Sequence, residues 1–478
     1  MMLLALLTGC ILGPRPESCS ANTDCRDAFG FGSVCADDGY CAPVTVDPRC
    51  NETWPEDLFR NAENYSDHVV IGSIFNMPFD EPQRLSAELA VRNAWDAEDT
   101  SGVYGHFVAI VHCDNAENID IDDLNSVESA VSSAQFLVDE LGIQAIVGPS
   151  TSDESFAVFD AASLGGAITI SPSATSPDLT PVGGFPTDQS PGLFWRTAPP
   201  DDLQAFAIAQ DLLDRGADSI AILYEESSYA SSLADAVQAN FEGGGRTVVT
   251  NSYADGTALA QLIPRTFDEG ADEVVYFTGE SADVVTFLDT ASVTPAYVGV
   301  PIFLADAAAD TALFDVSGGA AMLPFVRGSR PQVPQGQRYN DFSINYNAEY
   351  GESPDESVFT SYAFDASWLA LYGAMWADIE GEPITGENIG RGILRLSSGD
   401  TLDIGYFTLG QVRSAFEAGD PVDIEGASGG LDYDEQTGEV SNPIEVWVVD
   451  PGTETFVPVK VCQPGGTCDD VPGAKTTK

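Results

Sequence analysis

From residue 68 onward the chain alternates short apolar runs with longer stretches whose apolar residues recur every three or four positions. The first pattern predicts buried strands and the second predicts helices with one apolar face. Residues 68–74 read as a strand, and 84–95 as a helix carrying Leu85, Leu89, Ala90 and Val91 on one side. Residues 107–111 form the next expected strand. Residues 126–141 follow as a helix through Val127, Ala130, Val131, Ala134, Leu137 and Val138, stopped by Gly142. After a Pro-rich crossing at 194–200 the same alternation resumes: helix 203–215, strand 219–224, helix 230–241, strand 247–251, helix 259–269, strand 273–277 and strand 301–304. A long apolar helix is expected over 359–378. A hairpin is expected over 423–450, turning at Tyr433-Asp-Glu-Gln-Thr-Gly. Repeated strand–helix alternation specifies an α/β fold with parallel sheets covered on both faces, and ligands of such sheets bind beyond the C-terminal strand ends.

Two strand ends stand out. Ala145-Ile-Val-Gly-Pro-Ser-Thr-Ser152 and Ala167-Ile-Thr-Ile-Ser-Pro-Ser-Ala-Thr175 each stop abruptly at small hydroxyl residues, and a helical pattern follows Ser152. A hydroxyl-rich turn feeding a helix aims backbone N–H groups and the positive helix end at one spot. Two in succession make a cradle suited to a carboxylate. Ser and Thr also cap helices everywhere, and either turn alone would need no other explanation.

The 478 residues leave room for two or three domains with full cores, and 44% hydrophobic against 20% charged residues excludes wholesale disorder. With 19 basic against 75 acidic residues the net charge is −56, which argues against nucleic acid and against anionic lipid headgroups as partners. The acids are spread along the chain, as a solvated surface requires.

Nine cysteines are present. Cys19, Cys25, Cys35 and Cys41 lie in a polar segment too short to bury a core, which calls for disulfides. Four cysteines allow three connectivities, and the spacing does not choose among them. A zinc site is disfavoured, because neither paired C-x2-C spacing nor a nearby His is present. Cys462 and Cys468 flank a Gly-Gly loop that is easy to close. Cys50 and Cys113 remain, and by elimination they pair. No metal and no cofactor is expected, and His106 and His112 read as strand residues. The sequence holds no nucleophile elbow, no phosphate-binding glycine loop and no His-Glu-x-x-His, so no enzyme is expected.

The two cradles resemble the amino-acid-binding turns of type I periplasmic binding proteins, the leucine/isoleucine/valine-binding family. Further resemblances follow in order: Phe194-Trp-Arg-Thr-Ala at the crossing, Ile222-Leu-Tyr-Glu-Glu-Ser-Ser-Tyr229 at a strand end, and Tyr362-Ala-Phe-Asp-Ala in the long helix. They span about Val69 to Pro458. The resemblance implies two Rossmann-like lobes with a hinge between them. On that reading residues 67–198 form lobe one with a return segment near 327–425, and 199–326 form lobe two with a return near 426–460. A Cys-rich segment and linker at 10–66 precede them, and 461–478 form a tail. The resemblance further implies that Ser152 and Thr175 bind a ligand carboxylate, that the backbone of Ser173 takes its ammonium, and that Tyr229 is an aromatic wall. Asp306 is implied as the acid facing the ammonium. Departures from the pattern occur at Ala230, at Glu280 where an aromatic is usual, and at Phe75-Asn-Met-Pro-Phe-Asp, which replaces a Gly-rich loop.

The opening Met1-Met-Leu-Leu-Ala-Leu-Leu-Thr-Gly-Cys10 resembles a bacterial lipoprotein signal. It implies removal of residues 1–9, lipidation at Cys10 and a place in the cell envelope, with Ile11 favouring the outer membrane; membrane contact is then through the lipid alone. The expected role is delivery of an amino-acid-like zwitterion to an ABC permease. The alternative is a lipoprotein sensor or scaffold that meets another envelope protein.

Overall fold

The computed structural model describes residues 18–65, 67–96, 106–117 and 121–474. Cys10 and the apolar run before it lie outside the described residues. No described helix is long and apolar enough to cross a membrane.

A small module opens the described chain. Helix Asn22–Phe29 packs on an antiparallel ribbon of β1 (Ser33–Cys35) and β2 (Cys41–Pro43). Disulfides Cys19–Cys35 and Cys25–Cys41 select one of the three possible connectivities. Three of these sulfurs lie together, but as disulfides rather than as metal ligands. Arg26 Nη1 donates to the carbonyls of Asp139 (3.3 Å) and Glu140 (3.0 Å), at the carbonyl end of the helix that begins at Ser126. A cation there meets the negative helix end and satisfies otherwise orphaned acceptors.

The linker then joins the first sheet. Its β3 (Glu52–Trp54) lies antiparallel at the edge, beside β4 (Val69–Phe75), β5 (Val108–Asp114), β6 (Ala145–Val147), β7 (Ile168–Ser171) and β8 (Phe194–Arg196), all mutually parallel. The order is β3-β5-β4-β6-β7-β8, so the strand sequence reverses between β4 and β6. Cys50–Cys113 ties the linker to β5. The second sheet repeats the plan with β9 (Ser219–Glu225), β10 (Thr247–Tyr253), β11 (Glu273–Phe277), β12 (Ile302–Leu304) and β13 (Val326–Pro331), in the order β10-β9-β11-β12-β13.

After β13 the chain returns to the first sheet. Helix Thr360–Ile379 is buried over nearly its whole circumference, between helices Met77–Trp95 and Gly386–Ile393. A helix apolar on all sides belongs inside a core, and this one centres the largest hydrophobic cluster. Gly373 permits the contact with Gly386–Ile393, since a Cβ there would stand 2.5 Å from the Ile389 carbonyl. A two-stranded ribbon, β14 (Asp400–Asp403) and β15 (Val422–Glu425), follows. The chain then crosses again, and β16 (Ile444–Asp450), β17 (Thr455–Gln463) and β18 (Thr467–Asp470) extend the second sheet antiparallel.

Several expected boundaries move. Residues 327–331, assigned by sequence to the return into lobe one, pair as β13 between β12 and β16 of the second sheet. Ala427, Leu431, Tyr433 and Val440, assigned to lobe two, pack in the core of lobe one. The segment from 461 is not a separate tail, because Cys462 and Cys468 face each other across β17 and β18. No hairpin runs over 423–450. Asp434 does organise a turn, accepting from the amides of Gln436 and Thr437 at 2.9 Å each. The flanking strands pair elsewhere, β15 with β14 and β16 with β17. Apolar alternation marks a strand but not its partner.

Candidate functional site

The two cradles lie side by side at the C-terminal edge of the first sheet, next to its switch in strand order. Gly148 turns the chain out of β6 at φ +96°, and a Cβ there would lie 2.3 Å from the Ile74 carbonyl oxygen, so only glycine fits. Thr151 caps helix Ser152–Leu164 in a reciprocal box with Glu154. The cap is therefore Thr151 and not Ser152, and capping does not account for Ser152. The Ser152 hydroxyl instead accepts from the amide of Ser176 at 3.3 Å, which links the first cradle to the second.

Ser171 locks the turns further. Its hydroxyl donates to the Pro149 carbonyl (2.7 Å) and accepts from the amide of Ala174 (3.1 Å). The Ser173 hydroxyl lies 3.0 Å from the Ser150 carbonyl and 3.2 Å from Gln83 Oε1. Behind the second cradle, buried Arg196 donates to the carbonyls of Ala174 (3.0 Å) and Ser176 (2.9 Å). Its other donors meet Glu439 in a two-pronged pair at 2.7 and 2.8 Å. The two turns are thus cross-braced to each other and to Arg196, an arrangement that lowers the ordering cost of binding.

Lobe two supplies the facing wall. The Thr175 hydroxyl donates to Asp201 Oδ2 at 2.9 Å, and the Asp201 amide returns a bond to the Thr175 carbonyl at 3.0 Å. Asp201 opens helix Asp201–Arg215 and is fully buried, and its Oδ1 has no hydrogen-bond partner among the described residues. Tyr229 donates through its hydroxyl to Asp306 Oδ1, which also accepts from Gln204 Nε2 at 3.3 Å. Gln204 is held in turn by the Ser329 hydroxyl at 3.2 Å. Burial pushes the Asp201 carboxyl well above the usual carboxylate range, and neighbouring Asp306 adds to the push. Burial also raises Asp306, against the hydrogen bonds from Tyr229 and Gln204. Two desolvated, mutually repelling carboxyls are relieved either by taking up a proton or by a neighbouring cation.

Thr175 is thus bonded to Asp201, and Tyr229 to Asp306, with the charge of Asp306 felt at Asp201, while Ser152 and Ser173 stand in the adjoining turns. Asp201 and Gln204 escaped the sequence reading. The only local signal was an acid directly after Pro199-Pro200, which reads as an ordinary helix start. Toward the other end of the cradle, loss of solvation pushes the Asp80 carboxyl up to about 7, with Glu154 and Glu280 reinforcing it. Asp80 is bound by Gln83 Nε2 at 3.1 Å, the same Gln83 that meets Ser173. His112 is a satisfied core histidine, bound to the Ser73 hydroxyl (2.7 Å) and Glu88 (3.2 Å).

Residues 78–452 match the family described as periplasmic binding protein. The Leu/Ile/Val-binding protein BraC3 of Rhizobium johnstonii is 35% identical over 161 residues, covering 33% of this chain and 41% of that protein. The match therefore spans about two fifths of that relative's length. The chemotactic signal transduction system substrate-binding protein BasB of Halobacterium salinarum is 23% identical over 323 residues, 65% of this chain and 71% of its own. The crystal structure of a leucine binding protein, LivK, from Thermotoga maritima shares the fold at a TM-score of 0.64 and 18% identity, over 84% of this chain and all of that one.

Proposed function

We propose that this chain, which belongs to the type I periplasmic binding proteins of the leucine/isoleucine/valine-binding family, is an extracytoplasmic solute-binding protein for a small zwitterion, an amino acid foremost, delivered to an ABC importer. One observation carries the reading: a cross-braced hydroxyl-and-amide cradle on lobe one faces a desolvated Asp201–Asp306 pair on lobe two. The cradle suits a carboxylate, and the acid pair suits an ammonium. A zwitterion satisfies both ends and carries no net charge, so the overall charge of −56 does not oppose its approach. Ser152, Thr175 and the adjoining amides hold the carboxylate, the Ser173 backbone and Asp306 take the ammonium, and Tyr229 closes the wall. Asp201 joins Asp306 in that role. The work is binding, with no bond made or broken. The protein is lipid-anchored at Cys10 in the bacterial envelope.

A calorimetric screen of the common amino acids, with native mass spectrometry of the protein as purified, tests this. Binding of one amino acid class supports it; retention of a different solute, or none, overturns it. The likeness to BasB supports a second reading, a sensor that binds the same class of ligand and reports to another envelope protein. Capture of a signalling protein in place of a permease would select it.

A further inference from the structure

Asp153 is the second residue of helix Ser152–Leu164, whose cap is already supplied by Thr151. Its side chain leaves its own lobe. Both carboxylate oxygens lie 3.2 Å from the amide nitrogen of Ser228, and Oδ1 also accepts from the Ser228 hydroxyl. Ser228 opens helix Ser228–Phe241 of lobe two, capped by Ser227 through the Ala230 amide at 3.2 Å. The Ser228 amide is one of the orphan donors of that helix's first turn, and Asp153 is what it meets. The carboxylate thereby stands at the positive ends of two helices, one from each lobe. One turn further, Ser232 and Ser176 bring their hydroxyl oxygens within 3.0 Å across the same gap. Ser176 is the residue whose amide donates to Ser152 in the cradle.

We infer that Asp153 is the positioning residue for closure of the cleft, a latch that fastens lobe one to lobe two and sets Tyr229. The connection to the ligand wall is short. Tyr229 follows Ser228 directly, and its hydroxyl holds Asp306. Fixing the first turn of the lobe-two helix therefore fixes the tyrosine, and through it the acid. A binding site assembled only in the closed arrangement has an apparent affinity scaled by the fraction of molecules that are closed. Asp153 raises that fraction without touching ligand. The inference rests on the two-lobed clamp reading, but it can be examined with no ligand present, so failure of the latch and failure of amino-acid binding are told apart.

The test uses the full disulfide-bonded protein without added ligand, as wild type, Asp153→Ala, Asp153→Asn and Ser228→Ala. Small-angle scattering gives the radius of gyration, and hydrogen exchange read by mass spectrometry gives local opening. Asp153→Ala should enlarge the radius of gyration. It should also speed exchange about tenfold in both 228–232 and 174–176, because opening uncovers both sides. Asp153→Asn, which keeps an acceptor but not the charge, and Ser228→Ala, which keeps the amide, should fall between. Faster exchange at 228–232 alone with unchanged scattering would show an ordinary helix cap and overturn the latch, as would no change at all. Should Asp153→Ala fail to fold, the two milder variants carry the same comparison.

Discussion

Thr175 and Asp201 bind each other twice between the turn after β7 and helix Asp201–Arg215, hydroxyl to carboxylate at 2.9 Å and amide to carbonyl at 3.0 Å. The residue expected to grip the ligand is therefore also the one that couples the cradle to the acid wall. Thr175→Ala should weaken leucine binding, or binding of whichever amino acid the screen selects, by about tenfold, equivalent to roughly 1.4 kcal/mol. Thr175→Ser, which keeps the hydroxyl, should recover most of it. Titration calorimetry on the three proteins decides.

The acid pair gives binding a pH dependence of defined sign. A protonated carboxyl cannot neutralise an ammonium, and both Asp201 and Asp306 are raised above the ordinary aspartate range, chiefly by burial. Affinity should therefore keep climbing as pH rises past that range. Tyr229→Phe removes a hydrogen bond that holds the Asp306 carboxyl down, so the climb should move to higher pH. Asp306→Asn should flatten it. Affinities measured in steps between pH 4 and 8 provide the check.

Acid stability has a different centre. Burial alone would raise Glu88, but the hydrogen bond from His112, whose own imidazole is held toward the neutral form by burial, and the ion pair with Arg92 hold it at about 2 against an ordinary 4.5. A depressed carboxylate stabilises the fold above its unfolded pKa and loses that contribution as pH falls through the folded one. Glu88→Gln should cost about 3 kcal/mol at neutral pH, as breaking a buried pair does. It should also lose the part of the acid unfolding limb between about pH 4.5 and 2. Denaturant melts across that window would show it.

Gly148→Ala combines a left-handed backbone with a 2.3 Å approach to the Ile74 carbonyl. The substitution should destabilise lobe one by more than about 2 kcal/mol, since the backbone conformation and the clash both count against it. Ligand affinity should fall with it, because the first cradle turns on this residue. Urea melts report the first effect and calorimetry the second.

Cys19, Cys25, Cys35, Cys41, Cys50, Cys113, Cys462 and Cys468 form four pairs, so all eight should resist alkylation until reduced. Removing Cys50–Cys113 by a double change to serine should cost roughly 2–4 kcal/mol, the usual range for a disulfide. It should also loosen β3 from the sheet edge. Mass spectrometry after alkylation and thermal melts test the two statements.

Much of this protein was legible in one dimension. The strand–helix period, the hydroxyl-rich ends of β6 and β7, the aromatic at Tyr229 and the acid after β12 are local patterns, because burial and turn geometry act on neighbours in the chain. The tertiary structure decided which strands pair. It moved 327–331 into the second sheet and dissolved the hairpin expected over 423–450, since a strand's apolar alternation names a face and not a partner. It also decided the acid wall. Asp201 stands 105 residues from Asp306 in sequence, and its solvent is stripped only in the assembled tertiary structure, where its helix meets Thr175. Desolvation is a property of the assembled surroundings, so no reading of Asp201 among its chain neighbours could have distinguished it from the other acids of so acidic a chain.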